Sequence, residues 1–232
     1  HPERIDWVFG SEGYVHRLAR EVGAKPFPVD TDRQIVPVSA TAIRSDPWKN
    51  WDYVTGAVRE YYQRRLVLVG AESTGKTTMA ADMAARRKCQ VIPEYGRDYD
   101  ALFRHGQRWL EADFEAIMAG HKALADTMAA RAGPIIVEDT DAVQTLVWAE
   151  ALLGKLPDAL VSKARASVAG KSYLLLDHST PWHDDGTRYF EDQARRAWFT
   201  QRLHSWLNEF GADFQLIEEE DWGARMEAAY AR

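Results

Sequence analysis

The stretch Leu66-Val67-Leu68-Val69-Gly70-Ala71-Glu72-Ser73-Thr74-Gly75-Lys76-Thr77 decides how the rest of the chain is read. Four consecutive apolar residues of strand-forming type run into a full G-x-x-x-x-G-K-[ST] match, and a helical pattern over Lys76–Arg87 follows at once. That order of strand, loop and helix is the context in which this motif holds phosphate. Gly70 and Gly75 let the backbone curl so that successive amides point inward, and the helix that follows adds its positive end. The expected nucleoside-triphosphate cradle comprises Gly70, Glu72, Ser73, Thr74, Gly75, Lys76, Thr77 and Thr78. In it Lys76 reaches the β- and γ-phosphates and the Thr77 hydroxyl faces Mg²⁺.

Downstream of the loop, short Val/Ile/Leu runs alternate with helical patterns. Strands are expected at Leu66–Val69, Gln90–Ile92, Pro134–Val137, Ser172–Leu176 and Phe214–Ile217. Helices are expected at about Lys76–Arg87, Glu111–Arg131, Asp141–Leu153, Asp158–Ala169 and Glu191–Phe210. Strands of this kind joined by helical crossovers predict an α/β fold with a five-stranded parallel sheet covered on both faces. Upstream, Ile5–Gly10 reads as a strand and Glu12–Val22 as a helix, which Lys25-Pro26-Phe27-Pro28 breaks. Ile35-Val36-Pro37-Val38, with its internal proline, reads as an edge strand or an extended loop. Trp48, Trp51, Tyr53, Tyr61 and Tyr62 suit a packed connecting helix before Arg65.

Composition narrows the function classes. The 232 residues are 46% hydrophobic and 28% charged, enough apolar material for a real core. A net charge of −6 argues against sequence-independent nucleic-acid binding. The apolar runs are too short to span a bilayer. The single cysteine, Cys89, can build neither an internal disulfide nor a cysteine-based zinc site, so a cytoplasmic protein is expected. Nothing in the residues speaks to oligomeric state.

Open parallel sheets bind ligands at the carboxyl ends of their strands, and three polar clusters fall there. In Glu94-Tyr95-Gly96-Arg97-Asp98, a carboxylate can take a hydroxyl proton and Arg97 can hold a phosphate or clamp a carboxylate. In Glu138-Asp139-Thr140-Asp141, Asp139 is the candidate metal-side acid, and Asp141 faces substrate or caps the next helix. The third cluster, His178 to Arg188, is a polar loop suited to covering the phosphates, with Arg188 supplying charge. Its histidines and aspartates are too irregularly spaced to read as a metal site. Tyr95, Tyr99, Trp109 and Trp148 fall where a flat cationic base can stack, although core packing is the default role of such residues. Arg195-Arg196 reads as a solvated face.

Taken in order, Gly-Ala-Glu-Ser-Thr-Gly-Lys-Thr at 70–77, Glu-Tyr-Gly-Arg at 94–97, Asp-Thr-Asp at 139–141 and Asp-Asp-Gly-x-Arg at 184–188 resemble the ribosylnicotinamide kinase domain of the bifunctional NadR-type family. Those proteins join a nicotinamide mononucleotide adenylyltransferase domain to a C-terminal phosphate-loop kinase. Val38-Ser39-Ala40-Thr41-Ala42-Ile43-Arg44 is similar to the late phosphate-cradling signature of nucleotidyltransferases, with Ala40 replacing its second serine. Gly10-Ser11-Glu12-x-Tyr14 also resembles the later half of that domain.

The resemblance implies that residues 1–62 are the C-terminal part of a Rossmann-like adenylyltransferase domain plus a connecting helix, retaining Ser39, Thr41 and Arg44. The early His-x-Gly-His-type motif has no counterpart, so adenylyl transfer by this chain alone is not expected. Residues 63–232 would be a kinase using ATP and Mg²⁺ to phosphorylate the small nucleoside ribosylnicotinamide. Lys76, Glu94, Asp139 and Arg188 would be catalytic, Thr77 and Asp139 would hold the metal, and Tyr95, Arg97, Asp141, Trp148, Asp184 and Asp185 would meet the nucleoside. At this point Glu94 and Asp139 both remain candidates for the proton acceptor. A kinase for another nucleoside and a nucleotide-sensing module also remain open, and the acidic strand ends favour an enzyme.

Overall fold

The computed structural model describes residues 4–181, 189 and 192–231. Two compact units divide between Thr55 and Gly56.

The first unit opens with β1 (Trp7–Gly10), α1 (Val15–Glu21) and β2 (Lys25–Pro28), a parallel pair joined by one helix. The sequence reading took Lys25–Pro28 as a break, yet it is a strand. Lys25 and Val29 donate their N–H groups to Asp6 and Gly10 of the neighbouring strand. Pro26 and Pro28 occupy the alternate positions, where a two-residue period turns the missing N–H away from the ladder. Ile35–Val38 forms no strand; the Asp30 carboxylate instead accepts the N–H groups of Gln34, Ile35 and Val36. α2 (Ala40–Ser45) follows, capped by the Ser39 hydroxyl, which accepts from Ala42 N at 3.0 Å. The expected connecting helix is not continuous. It consists of a single tight turn at Trp51–Tyr53 and, in the second unit, α3 (Gly56–Tyr62), separated by extended backbone at Val54.

The second unit carries β3 (Arg64–Gly70), α4 (Lys76–Arg87), β4 (Gln90–Ile92), α5 (Tyr95–Tyr99), α6 (Glu111–Ala129), β5 (Ile135–Asp139), α7 (Ala142–Leu153), α8 (Asp158–Ser167), β6 (Lys171–Leu176), α9 (Gln193–Glu209), β7 (Asp213–Ile217) and α10 (Trp222–Tyr230). All five expected strands pair in parallel, in the order β4-β5-β3-β6-β7.

The two-residue period of β3 sorts its side chains between two cores. Leu66 and Leu68 pack with Met79, Met83 and Met226 of α4 and α10. Val67 and Val69 pack with Val143, Val147, Phe199 and Leu203 of α7 and α9. Each such side chain contributes about 1.5–3 kcal/mol when fully buried, and Val67, Leu68 and Val69 are completely inaccessible. A further apolar layer joins α6, α7 and α8 through Phe114, Met118, Leu146 and Leu160. β3 lies between β5 and β6, so the loop leaving it opens between two neighbouring strand ends, where this architecture places ligands. No described helix is long and apolar enough to cross a membrane.

Candidate active site

The phosphate loop begins where β3 ends. Ser73 and Gly75 take left-handed backbone angles, φ 60° and 86°, which turn the chain into the first turn of α4. Gly75 is required twice over. Its φ favours glycine, and a methyl group there would meet the Trp222 ring at 2.6 Å. Lys76 lies buried with its ammonium donating to the carbonyls of Gly70 at 3.0 Å and Ala71 at 2.8 Å. Burial lowers its pKa, against the opposing pull of the Glu94 and Asp139 carboxylates.

Asp139 closes β5, and its Oδ2 accepts the Thr77 hydroxyl at 2.6 Å. Its Oδ1 is buried with no hydrogen-bond partner among the described residues. An unpartnered carboxylate oxygen beside a threonine hydroxyl is a hard oxygen donor set, the kind that suits Mg²⁺. The two residues expected to hold the metal therefore stand together.

Glu94 follows β4 and Pro93 and occupies the position before α5, but its side chain makes no capping bond. It lines the same cavity as Lys76 and pairs with Arg97 at 3.4 Å. Desolvation raises the Glu94 pKa, and the nearby Lys76 ammonium opposes that rise.

The cavity has a volume of about 740 Å³ and runs from the phosphate loop to an aromatic wall of Trp109, Trp148 and Tyr189. Trp148 and Tyr189 meet edge to face with centroids 5.8 Å apart. The Arg104 guanidinium covers Trp109 at 3.5 Å from its centroid and donates to Asp100 Oδ1 at 2.5 Å. The Tyr189 hydroxyl donates to Asp100 Oδ2 at 2.6 Å, while its N–H donates to the Glu72 carboxylate. Tyr189 thus ties the phosphate loop to the aromatic end. Ser73 and Thr78 also line the cavity, and the buried Thr74 hydroxyl donates to the Ala71 carbonyl at 2.9 Å.

Two residues expected at the nucleoside lie elsewhere. Tyr95 packs its ring on Gly120 of α6, outside the cavity wall, because the missing side chain there leaves a seat for it. Asp141 takes the capping alternative. It accepts from Val143 N at 2.9 Å, from the Tyr173 hydroxyl at 2.7 Å and from Lys171 at 3.1 Å, and is wholly buried. Tyr99, a stacking candidate, donates its hydroxyl to Asp113 and is likewise absent from the wall. Arg196 is no solvated residue: it is buried and donates to the Glu72 and Thr180 carbonyls. It shares the α9 stripe with Phe199, Leu203 and Leu207, a spacing that could have flagged it. Asp184, Asp185 and Arg188 lie outside the described residues. Thr41 and Arg44 sit on α2 of the first unit, which Ser39 caps, with Arg44 3.5 Å from the Thr41 hydroxyl.

Asp100, Tyr189, Gln144 and Thr145 line the cavity and were not singled out from sequence. A helical signal existed for the last two, since Gln144 and Thr145 precede Trp148 by four and three positions and so share its face.

The family description "AAA domain" matches residues 65–225. The chain is 29% identical over 229 residues to the trifunctional NAD biosynthesis/regulator protein NadR of Escherichia coli, covering 95% of this chain and 54% of that protein. The Salmonella typhimurium protein of the same description is 28% identical over 228 residues, with the same coverage. The chain thus spans about half the length of the curated relatives it matches. Among solved structures, NadR in complex with NR superposes with a TM-score of 0.73 at 24% identity, over 100% of this chain and 69% of that one. NadR in complex with NAD and AMP-PNP gives 0.72 at 23%, over 97% and 65%. Thymidylate kinase from Ehrlichia chaffeensis gives 0.53 at 11%, over 73% and 98%. At these identities the superpositions establish the shared fold.

Proposed function

The chain belongs to the AAA-domain family, and from that premise we propose that it transfers the γ-phosphoryl group of ATP to the 5′-hydroxyl of ribosylnicotinamide, giving nicotinamide mononucleotide and ADP. The observation that carries this reading is one continuous cavity. It has Lys76 and the Thr77–Asp139 pair at one end and aromatic rings beside the Asp100 carboxylate at the other. The similarity to NadR, described as a protein of NAD biosynthesis, and to its structures with NR and with AMP-PNP supports the substrate pair.

Phosphoryl transfer asks mainly for positioning and charge stabilisation. The loop amides and Lys76 hold the phosphates. Thr77 and Asp139 would hold Mg²⁺, which when bound neutralises charge on the β- and γ-oxygens. Asp139 would be taken up with Thr77 by the metal, so the proton of the attacking hydroxyl is assigned to Glu94. Burial raises its pKa toward the working range of a base. Arg97, half-exposed beside Glu94, and Arg188 steady developing charge. A flat pyridinium stacks against Trp148 as a cation over an aromatic face.

Residues 63–232 form the kinase domain in this proposal, and residues 1–62 an adenylyltransferase-like portion retaining Ser39, Thr41 and Arg44. The lone Cys89 supports a cytoplasmic setting.

The test is direct. Protein incubated with Mg-ATP and ribosylnicotinamide should yield nicotinamide mononucleotide and ADP in equal amounts, and Lys76→Ala should yield neither above background. Full turnover by that variant, or ATP consumption with no phosphorylated nucleoside, overturns the assignment.

A further inference from the structure

Gly70, the first residue of the phosphate loop, is in register with Leu176 of β6 on one side, but on its β5 edge it is held by a side chain. In β3, Leu68 faces β5: it pairs with Asp139, and its carbonyl accepts from Thr140 N at 3.0 Å. Two residues on, Gly70 turns its own N–H and C=O to the same edge, as the strand period requires. β5 has already ended there, so no strand residue stands opposite. The Gln144 amide fills the place. Its Oε1 accepts from Gly70 N at 3.1 Å and its Nε2 donates to Gly70 O at 2.9 Å. One primary amide thus supplies an additional rung to the β3–β5 ladder.

The surroundings make that rung consequential. Gln144 is 2% exposed and Gly70 is itself buried, so the Gly70 groups have no water to fall back on. The same Gly70 carbonyl accepts the Lys76 ammonium. On the other side, Gln144 belongs to α7, whose Thr145, Trp148 and Leu152 line the aromatic end of the cavity. α7 is itself fixed to the sheet by the Asp141 cap, which Lys171 and Tyr173 of β6 hold.

We propose that Gln144 is a positioning residue: its amide sets the height of Gly70, and with it the loop and Lys76, relative to the nucleoside wall carried on the same helix. The kinetic part of this inference rests on the phosphotransferase reading above, whereas the binding part does not.

Two variants test it. Gln144→Met keeps the volume and deletes both bonds, leaving the buried Gly70 N–H unpaired and its carbonyl with Lys76 alone. It should weaken binding of a non-hydrolysable ATP analogue with Mg²⁺ by about tenfold or more, and ribosylnicotinamide binding by less than about twofold. In turnover, the KM for ATP rises and kcat falls while the KM for nucleoside holds. Gln144→Glu provides the rescue. When protonated, its carboxyl again accepts from Gly70 N and donates to Gly70 O. Its ionised form sets a negative charge against a carbonyl. Analogue affinity of Gln144→Glu, measured relative to wild type, should therefore recover as pH falls, burial raising the carboxyl pKa against the downward pull of the Lys76 ammonium on the same carbonyl.

Wild-type analogue affinity in Gln144→Met overturns the proposal. So does an equal loss of both ligands, which marks a merely structural role, or a flat relative pH profile in Gln144→Glu. If Gln144→Met does not fold, the Gln144→Glu profile alone decides. A wild-type protein that binds the analogue but phosphorylates no nucleoside overturns the proposed reaction and leaves the binding comparison readable.

Discussion

Glycine inside a helix is usually a weakness, worth about 1 kcal/mol against alanine. Gly120 reverses that expectation, because a methyl group there would overlap the Tyr95 ring. Gly120→Ala should therefore lower stability by about 1–3 kcal/mol, the range for overpacking a filled site, read as a drop in the denaturation midpoint. In the cavity lining, Glu94 makes a prediction about rate. As the proposed proton acceptor its carboxylate must be ionised, and burial holds its pKa above the ordinary 4.5. Activity then rises with pH through an acid limb lying above that value. Glu94→Gln should remove the limb from the kcat/KM profile and reduce kcat by about 10²–10⁴-fold. An unchanged limb in that variant would move the role elsewhere.

Among elements, α7 gathers the most dependencies. Its cap, Asp141, is bonded at once to Val143 N, Lys171 and Tyr173. Asp141→Ala removes the cap and one of the two carboxylates that hold the buried Lys171 ammonium, leaving it Glu138 alone, a combination that costs about 2–4 kcal/mol. Chemical denaturation should register that loss, and the variant should still bind nucleotide if assayed well below its midpoint. The elements also show what local pattern can convey. The five strands and the loop of the second unit were legible because each is a run of one kind of residue with one dominant cause, burial or phosphate geometry. β2 was not, since its prolines matter only once it is known which edge faces β1. Arg196 and Tyr95 failed for a related reason. Sequence periodicity tells which side of an element is covered, but what covers it, a loop carbonyl or a vacant glycine, comes from another part of the chain.

For the whole molecule, the buried carboxylate Glu138 joins three elements of the sheet layer to α6. It accepts from Arg65 of β3 at 2.6 Å and from Lys171 of β6 at 3.1 Å, and lies 3.4 Å from His121 of α6. Burial alone would raise its pKa, but the His121 bond and the Lys171 and Arg65 charges bring it down to about 2. A carboxyl depressed in the folded state contributes stability above its unfolded pKa, and that contribution is lost as pH falls from about 4.5 toward about 2. The loss amounts to ~3 kcal/mol at 1.36 kcal/mol per unit. Thermal melts should show it as a fall in Tm between pH 5 and about 2.5 that is shallower in Glu138→Gln, although that variant starts from a lower Tm at neutral pH. A parallel pH dependence in the two proteins would remove Glu138 from the account.

The position of β3 between β5 and β6 also governs when the site comes into being. Gly70, the first residue of the loop, is paired to Leu176, and Leu68 to Asp139. Both partners are made long after the loop itself, the farther one roughly a hundred residues later, and contacts of such separation form slowly. A ribosome-bound chain that has just exposed Gly70–Thr77 carries the entire motif and none of its scaffold. Nucleotide capture by the nascent protein should begin only after β6 has left the exit tunnel, which makes ATP a reporter of late assembly rather than an early template for it.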